Sequence, residues 1–215
     1  MFSTASLNET LRSKAKYRLS VIQRIFLDLD DTLNSFTMFV LGRMGCAVRP
    51  YDYHLFPSDC GYDILGAYDK LRGTLPPMTK AQFWNSITRE VWAGAPRSPE
   101  FDLILAHAEA AVGRENVCIL TAPTIDPDCL AGKLEWIHKF LPRWLHRQFL
   151  VGPPKHFCAR PDTLLIDDSD DKCDKFRECG GHAILVPRPW NSLRTLYTKG
   201  YVQSEFNNLF SESTA

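Results

Sequence analysis

Ile25-Phe26-Leu27-Asp28-Leu29-Asp30-Asp31-Thr32-Leu33 is the stretch that decides the reading of this chain. An apolar run stops at Asp28, a second acid follows two positions later, and then come a third acid and a threonine. The run predicts a buried strand, and the acids fall in the loop at its carboxyl end. Open α/β sheets place their chemistry at that end. Carboxylates crowded together repel one another unless a cation sits among them. The pattern recurs at Leu164-Leu165-Ile166-Asp167-Asp168, again an apolar run ending in acids. Two strands delivering carboxylates to one point predict a metal site.

Around these two runs the chain alternates strand and helix patterns. Strands are predicted at 24–29, 117–120, 148–151, 163–166 and 183–186. Ser98-Pro99-Glu100 predicts a helix with Ser98 as its cap and proline at the first helical position, closed by Gly113. A second helix is predicted at 129–141, stopped by Pro142, and a third at 170–179, ended by Gly180-Gly181. Strands spaced by helices imply a parallel sheet covered on both faces. The stretch 34–97 breaks this rhythm and holds no apolar β run. Thr79-Lys80-Ala81-Gln82 is a capping box followed by Phe83, Ile87 and Val91 at helical spacing, and 34–47 is a second amphipathic candidate. The fold class is therefore read as α/β: a Rossmann-like core with a parallel sheet at 20–33 plus 98–202, and an α-helical cap inserted at 34–97. Residues 1–19, with Arg12, Lys14, Lys16 and Arg18 against Glu9, read as a basic lead-in or as a mitochondrial targeting segment. Residues 203–215 read as a frayed tail.

A chain of 215 residues can bury one sizeable core plus a subdomain. Its 25 basic and 25 acidic side chains balance, so bulk charge gives no argument for a nucleic-acid or membrane-surface partner. No apolar run is long enough to cross a bilayer. The seven cysteines are odd in number and form no CxxC pair, which reads as reduced thiols of a cytoplasmic protein.

Asp28 and Asp30 suggest a chemistry. A carboxylate beside a divalent cation can attack phosphorus, and a second one two residues on can protonate the leaving oxygen and then take a proton from water. The plainer reading is a strand-to-helix turn with Asp30 or Asp31 as a helix cap. Other residues favour the first reading. Asp28-x-Asp30-x-Thr32, then Thr121 ending Val117-Cys118-Ile119-Leu120, then Lys155, then Asp167-Asp168, resemble the four motifs of the haloacid dehalogenase (HAD) superfamily in their proper order. Cys118-Ile119-Leu120-Thr121-Ala122-Pro123 and Lys133-Leu134-Glu135-Trp136-Ile137 add a resemblance to the 5′(3′)-deoxyribonucleotidase family.

That resemblance implies Mg²⁺-dependent hydrolysis of nucleoside monophosphates, with a small phosphate ester as the binding partner and a homodimer as one possible assembly. It implies Asp28 as nucleophile and metal ligand, and Asp30 as general acid/base with its carbonyl on the metal. Asp168 would touch the metal directly, and Asp167 would act through water or orient its neighbour. Thr121, Ala122 and Lys155 would hold the phosphoryl group. Phe36, soon after the acids, is placed to line the substrate pocket, and Trp84 either joins it or packs the core together with Phe83 and Trp92. One departure stands out. The family often carries an arginine near the base two residues before the motif lysine, and here that position is Pro153. The alternatives are a HAD phosphatase for another ester (a phosphosugar, a nucleic-acid 3′ phosphate or a phosphoprotein) and a non-catalytic phosphate-binding module of the same fold.

Overall fold

A computed structural model describes residues 22–210. The lead-in expected at 1–19 lies outside these residues. Five strands form one parallel sheet: β1 (Arg24–Leu27), β2 (Val117–Thr121), β3 (Phe149–Val151), β4 (Thr163–Asp167) and β5 (His182–Leu185), in the order β3-β2-β1-β4-β5. Ile25 registers with Val117 on one side and with Leu164 on the other. Ile25, Leu27, Ile119, Leu164 and Ile166 are fully buried on one face, and Phe26, Leu120 and Leu165 are buried on the other, as a sheet covered on both faces requires. Each strand appears where its apolar run predicts it, with ends shifted by one or two residues. β1 is the shortest against expectation: it ends at Leu27, and the Asp28 amide makes one further ladder bond to the Ile166 carbonyl (2.9 Å) before the chain turns away.

The order of the strands determines where the chemistry can sit. The chain winds outward from β1 to β2 and β3, then crosses back to place β4 on the other flank of β1. The crevice between the carboxyl ends of β1 and β4 is thus the topological switch point, where open α/β sheets bind their ligands.

Residues 34–97 leave and rejoin the core at one place. Asn34 pairs with Arg97 in an isolated antiparallel bridge, and the Ser98 amide donates to the Leu33 carbonyl (2.9 Å). Between these stems lie four helices, α1 (Phe36–Arg43), α2 (Ile64–Leu71), α3 (Lys80–Asn85) and α4 (Arg89–Gly94), with short 3₁₀ turns at Tyr53–Leu55 and Ser58–Cys60. The capping box at Thr79 and Gln82 forms with both reciprocal bonds. The single helix suggested by Phe83, Ile87 and Val91 is instead two, because the Ser86 hydroxyl bonds back to the Phe83 carbonyl (2.7 Å) and a new helix starts after Thr88.

The remaining helices clothe the sheet: α5 (Phe101–Val112), α6 (Pro127–Phe140), α7 (Asp170–Glu178) and α8 (Thr198–Phe210). Ser98 does not cap α5 as expected. Its hydroxyl donates to the Thr32 carbonyl (2.8 Å), tying the returning chain to the acid loop, and Glu100 takes the cap position. Residues 203–210, expected to fray, are the last turns of α8, held by buried Val202 and Phe206 and by stacking of Phe206 on His107. Gly132 of α6 is where α4 crosses most closely. A Cβ there would stand 2.4 Å from the Trp92 Cβ and 2.6 Å from the Arg89 carbonyl, so only glycine lets the two helices meet.

Candidate active site

The two acid runs converge. Asp28, Asp167 and Asp168 each offer a carboxylate oxygen, and these oxygens lie within 4.8 Å of one another. All three side chains are buried. Asp28 hangs from the end of β1, Asp167 ends β4, and Asp168 begins the turn into α7, whose cap is Ser169.

Lysines surround the cluster. Lys155 is almost fully buried, and its Nζ lies 2.5 Å from Asp28 Oδ1 and 2.6 Å from Asp167 Oδ2. Lys172, from the first turns of α7, approaches Asp28 Oδ2 and Asp167 Oδ1 at 3.9 Å. Lys133 reaches in from α6 and donates to Asp30 Oδ2, to Thr121 Oγ1 (2.9 Å) and to the Ala122 carbonyl (3.0 Å), with its ammonium over the Trp92 ring. Asn34 Nδ2 donates to the other Asp30 oxygen (3.1 Å).

Burial works against the charge on Asp28, but Lys155, with Lys172 and Lys133 behind it, outweighs burial and holds its carboxyl below the ordinary value. Asp168 goes the other way: burial first, then the neighbouring Asp167, push it up to about 7. Trp190 Nε1 donates to Asp168 Oδ2 (2.7 Å), and the Tyr62 hydroxyl, which lines the same cavity, also bonds the Asp168 carboxyl. Asp167 has both oxygens occupied, Oδ2 by Lys155 and Oδ1 by the Ser169 amide (3.0 Å).

Asp31 is the strained member, with φ +58° at a non-glycine residue. The strain is compensated by bonds. Its carboxylate accepts from the Thr37 amide (3.0 Å) and the Thr37 hydroxyl (2.6 Å), and its carbonyl accepts from Arg188 Nε (2.7 Å). Arg188 is buried and also paired with Glu100 at 2.9 Å. Burial, with Asp168 next, raises the Asp31 carboxyl well above its ordinary value.

The donor set fits a divalent cation. It is all oxygen, as hard cations require, and six-coordinate Mg²⁺ at about 2.1 Å would set its ligand oxygens roughly 3–4 Å apart, inside the 4.8 Å within which these oxygens lie. Five carboxyl groups (Asp28, Asp30, Asp31, Asp167, Asp168) outnumber the three lysines among them (Lys133, Lys155, Lys172), which favours an added cation.

The cavity beside the cluster has a volume of ≈ 220 Å³. Asp28, Asp30 and Asp168 form its floor, Ala122 and Thr124 one wall, and Phe36, Trp84 and Trp92 another. Phe36 and Trp92 stack at 4.2 Å between centroids. Trp84 therefore takes the pocket position, and Phe83 is core, with no exposure. A second, largely apolar cleft of ≈ 550 Å³ continues outward past Trp84 and Trp92 to Ile125.

Two residues expected on the phosphoryl group are bonded to the cluster: Thr121 Oγ1 accepts from Lys133, and Lys155 Nζ bonds Asp28 and Asp167. Thr121 and Lys155 are each about 1% exposed and do not line the cavity; the lysines that do are Lys133 and Lys172. Neither of these was singled out from sequence. Lys133 stands in the Lys133-Leu134-Glu135-Trp136-Ile137 stretch that carries the family resemblance, with no site role read for it, and Lys172 stands among the acids that open α7. Asp170 and Asp171 occupy that first turn without reaching the cluster: Asp171 is exposed and Asp170 accepts from the Ser192 amide (3.1 Å).

No protein-family model matches the chain, and no curated protein sequence matches it either. Solved structures do. A HAD family hydrolase from Deinococcus radiodurans R1, with bound phosphate and sodium, is similar at a TM-score of 0.52 and 15% identity, with 88% of this chain and 97% of that one covered. A haloacid dehalogenase-like family hydrolase from Xanthomonas campestris is similar at a TM-score of 0.50 and 14% identity, with 90% and 98% covered. At such identities the likeness is one of fold alone: the parallel α/β architecture is shared with these two hydrolases.

Proposed function

We propose that this chain is a Mg²⁺-dependent phosphomonoester hydrolase of the HAD superfamily, acting on (deoxy)nucleoside 5′-monophosphates in the cytoplasm through a phosphorylated Asp28. The observation that carries the proposal is the meeting of Asp28, Asp167 and Asp168 at the switch point between β1 and β4, with Lys155 bonded between the first two.

Asp28, Asp168 and the Asp30 carbonyl would hold the metal, with Asp167 buttressing from behind. When bound, Mg²⁺ supplies positive charge against the phosphoryl oxygens. The chain's own residues do the rest. Asp28 stays ionised because its lysine neighbours favour the carboxylate, so Oδ2 is available to attack phosphorus as the ester P–O bond breaks. Asp30, fixed from both sides by Lys133 and Asn34, takes up a proton from solvent as substrate binds and hands it to the leaving oxygen. It then accepts one from the water that attacks the Asp28 phosphoanhydride, which frees phosphate and the Asp28 carboxylate. Lys133 and Lys172, the cations at the cavity surface, steady the phosphoryl charge. The aromatic wall of Phe36, Trp84 and Trp92, with the apolar cleft beyond it, suits the planar base of a nucleotide. The helices of 34–97 act as a cap that keeps bulk water from the acyl phosphate.

The test is phosphate release from dUMP, dTMP, dGMP and UMP, with Mg²⁺ and with the metal chelated. Release from at least one nucleotide, abolished by chelation and by Asp28→Asn in a folded protein, is expected. Release only from a phosphosugar or another ester in a parallel panel would move the substrate and keep the chemistry. Unchanged turnover in Asp28→Asn would overturn the nucleophile.

A further inference from the structure

A second cavity lies on the other side of Trp190. It has a volume of ≈ 480 Å³, opens between the 53–58 segment and the 187–198 loop, and shares no lining residue with the catalytic cavity. Its chemistry is distinctive in what it combines. No carboxylate lines it among the described residues. The Arg194 guanidinium and the His54 ring border it and make no ion pair among the described residues. Ser58 and Thr195 add hydroxyls, and Thr198, whose own hydroxyl donates to the Pro187 carbonyl (3.1 Å), opens the thirteen-residue helix α8, whose amino end carries partial positive charge. Apolar side chains from both segments, Phe56 from one and Leu196 and Pro189 from the other, complete the lining. The volume exceeds what an inorganic anion fills and falls in the range of organic ligands.

The lining also reaches the catalytic acids, through buried Arg188, which borders the cavity and donates to the Asp31 carbonyl (2.7 Å), and through Trp190. Phe56 and Tyr53 line the cavity and pack edge-on against Trp190, at 5.0 and 6.2 Å between centroids. Trp190 Nε1 in turn donates to Asp168 Oδ2 (2.7 Å). A ligand that moves Phe56 or Tyr53 moves the indole that orients Asp168.

We propose that this cavity is a binding site for a small organic phosphate with a planar apolar body, and that Trp190 transmits its occupancy to Asp168. The phosphate meets Arg194, the hydroxyls and the amino end of α8, and the apolar body lies against Phe56, Leu196 and Pro189. Arg194 supplies a fork suited to phosphate oxygens. The coupling needs only that the ligand favour one placement of Trp190 over another.

Phenylphosphonate is a suitable probe, since it joins a dianion to a planar ring and has no ester bond to hydrolyse. Titrated into the full chain labelled with ¹⁵N, it should shift the amides of residues 54, 58 and 194–198, and the Trp190 indole N–H with the same saturation curve. Shifts at Ala122, Thr124 and Lys172 report the catalytic cavity separately. Arg194→Glu should weaken the first set about tenfold or more and leave the second set in place; Ser58→Asp, which brings a carboxylate to the same cavity, should do likewise. Shifts confined to the catalytic cavity, or an unchanged affinity in both variants, would overturn the site. Saturation at 194–198 with a motionless Trp190 signal would overturn the coupling.

Discussion

Replacing Lys133 by methionine tests how the site is held together. The methionine chain fills much the same space, so the perturbation is electrical more than steric. The lost ammonium leaves three acceptors behind: Asp30 Oδ2, Thr121 Oγ1 and the Ala122 carbonyl. Lys133 itself is about 2% exposed, but the Asp30 side chain is 22% exposed and opens on the cavity. Breaking a fully buried pair costs about 3–5 kcal/mol; water reaching Asp30 reduces this, and about 2–3 kcal/mol of lost stability is expected once that screening is discounted. Urea denaturation of the wild type and the variant reads the difference, provided the slope m is unchanged. The cycle with Asp30→Asn should show a coupling of roughly 1–3 kcal/mol, because the two groups share one contact. A variant as stable as the wild type would refute the reasoning, since it would mean that the three contacts together contribute nothing net.

The remaining predictions concern packing, metal and a remote ion pair. Gly132→Ala should cost about 1–3 kcal/mol of stability by overpacking, read by thermal denaturation, because the new Cβ meets the backbone of α4. Mg²⁺ affinity should weaken as pH falls below about 7, where Asp168 takes up a proton that competes with the cation, and should level off above it; calorimetric titrations at several pH values would show this, with protons released on binding near neutrality. Arg188→Met should destabilise by about 3–5 kcal/mol, since it strands a buried Glu100 carboxylate and the Asp31 carbonyl; urea denaturation of this variant beside Glu100→Gln, which strands no charge on the glutamate side, separates the lost pair from lost packing.

The strands and the acid cluster were legible because they depend on local pattern. An apolar run that stops at Asp28, and another that stops at Asp167, mark buried strands and the loops at their ends without any knowledge of contacts. The breaks inside 34–97 were less visible. α2 carries Ile64, Ala67 and Tyr68 buried on one face behind an Asp63 cap, a helical signal that the run of glycine, proline and aromatic residues around it obscured. The split at Ser86 depends on a side chain bonding back to its own helix, which competes with the helical pattern on nearly equal terms. The lysines were illegible for a different reason. Lys133 and Lys172 acquire their roles from partners far away in sequence, such as Asp30 for Lys133 and Asp28 for Lys172. Trp190 and Arg188, in the loop after β5, likewise reach Asp168 and Asp31 only once the sheet has assembled. Thr121 and Lys155, expected to hold phosphoryl oxygens, are bonded in the folded chain to Lys133 and to Asp28 and Asp167.

The central claim is that Asp28 carries the phosphoryl group. The direct measurement is to mix the enzyme with Mg²⁺ and acetyl phosphate, quench in acid, reduce with borohydride and sequence the peptides by mass spectrometry, since reduction turns an aspartyl phosphate into homoserine. Homoserine at position 28, absent when the metal is chelated, is the predicted result. Steady release of phosphate with Asp28 recovered unmodified, or homoserine at another position, would contradict the account.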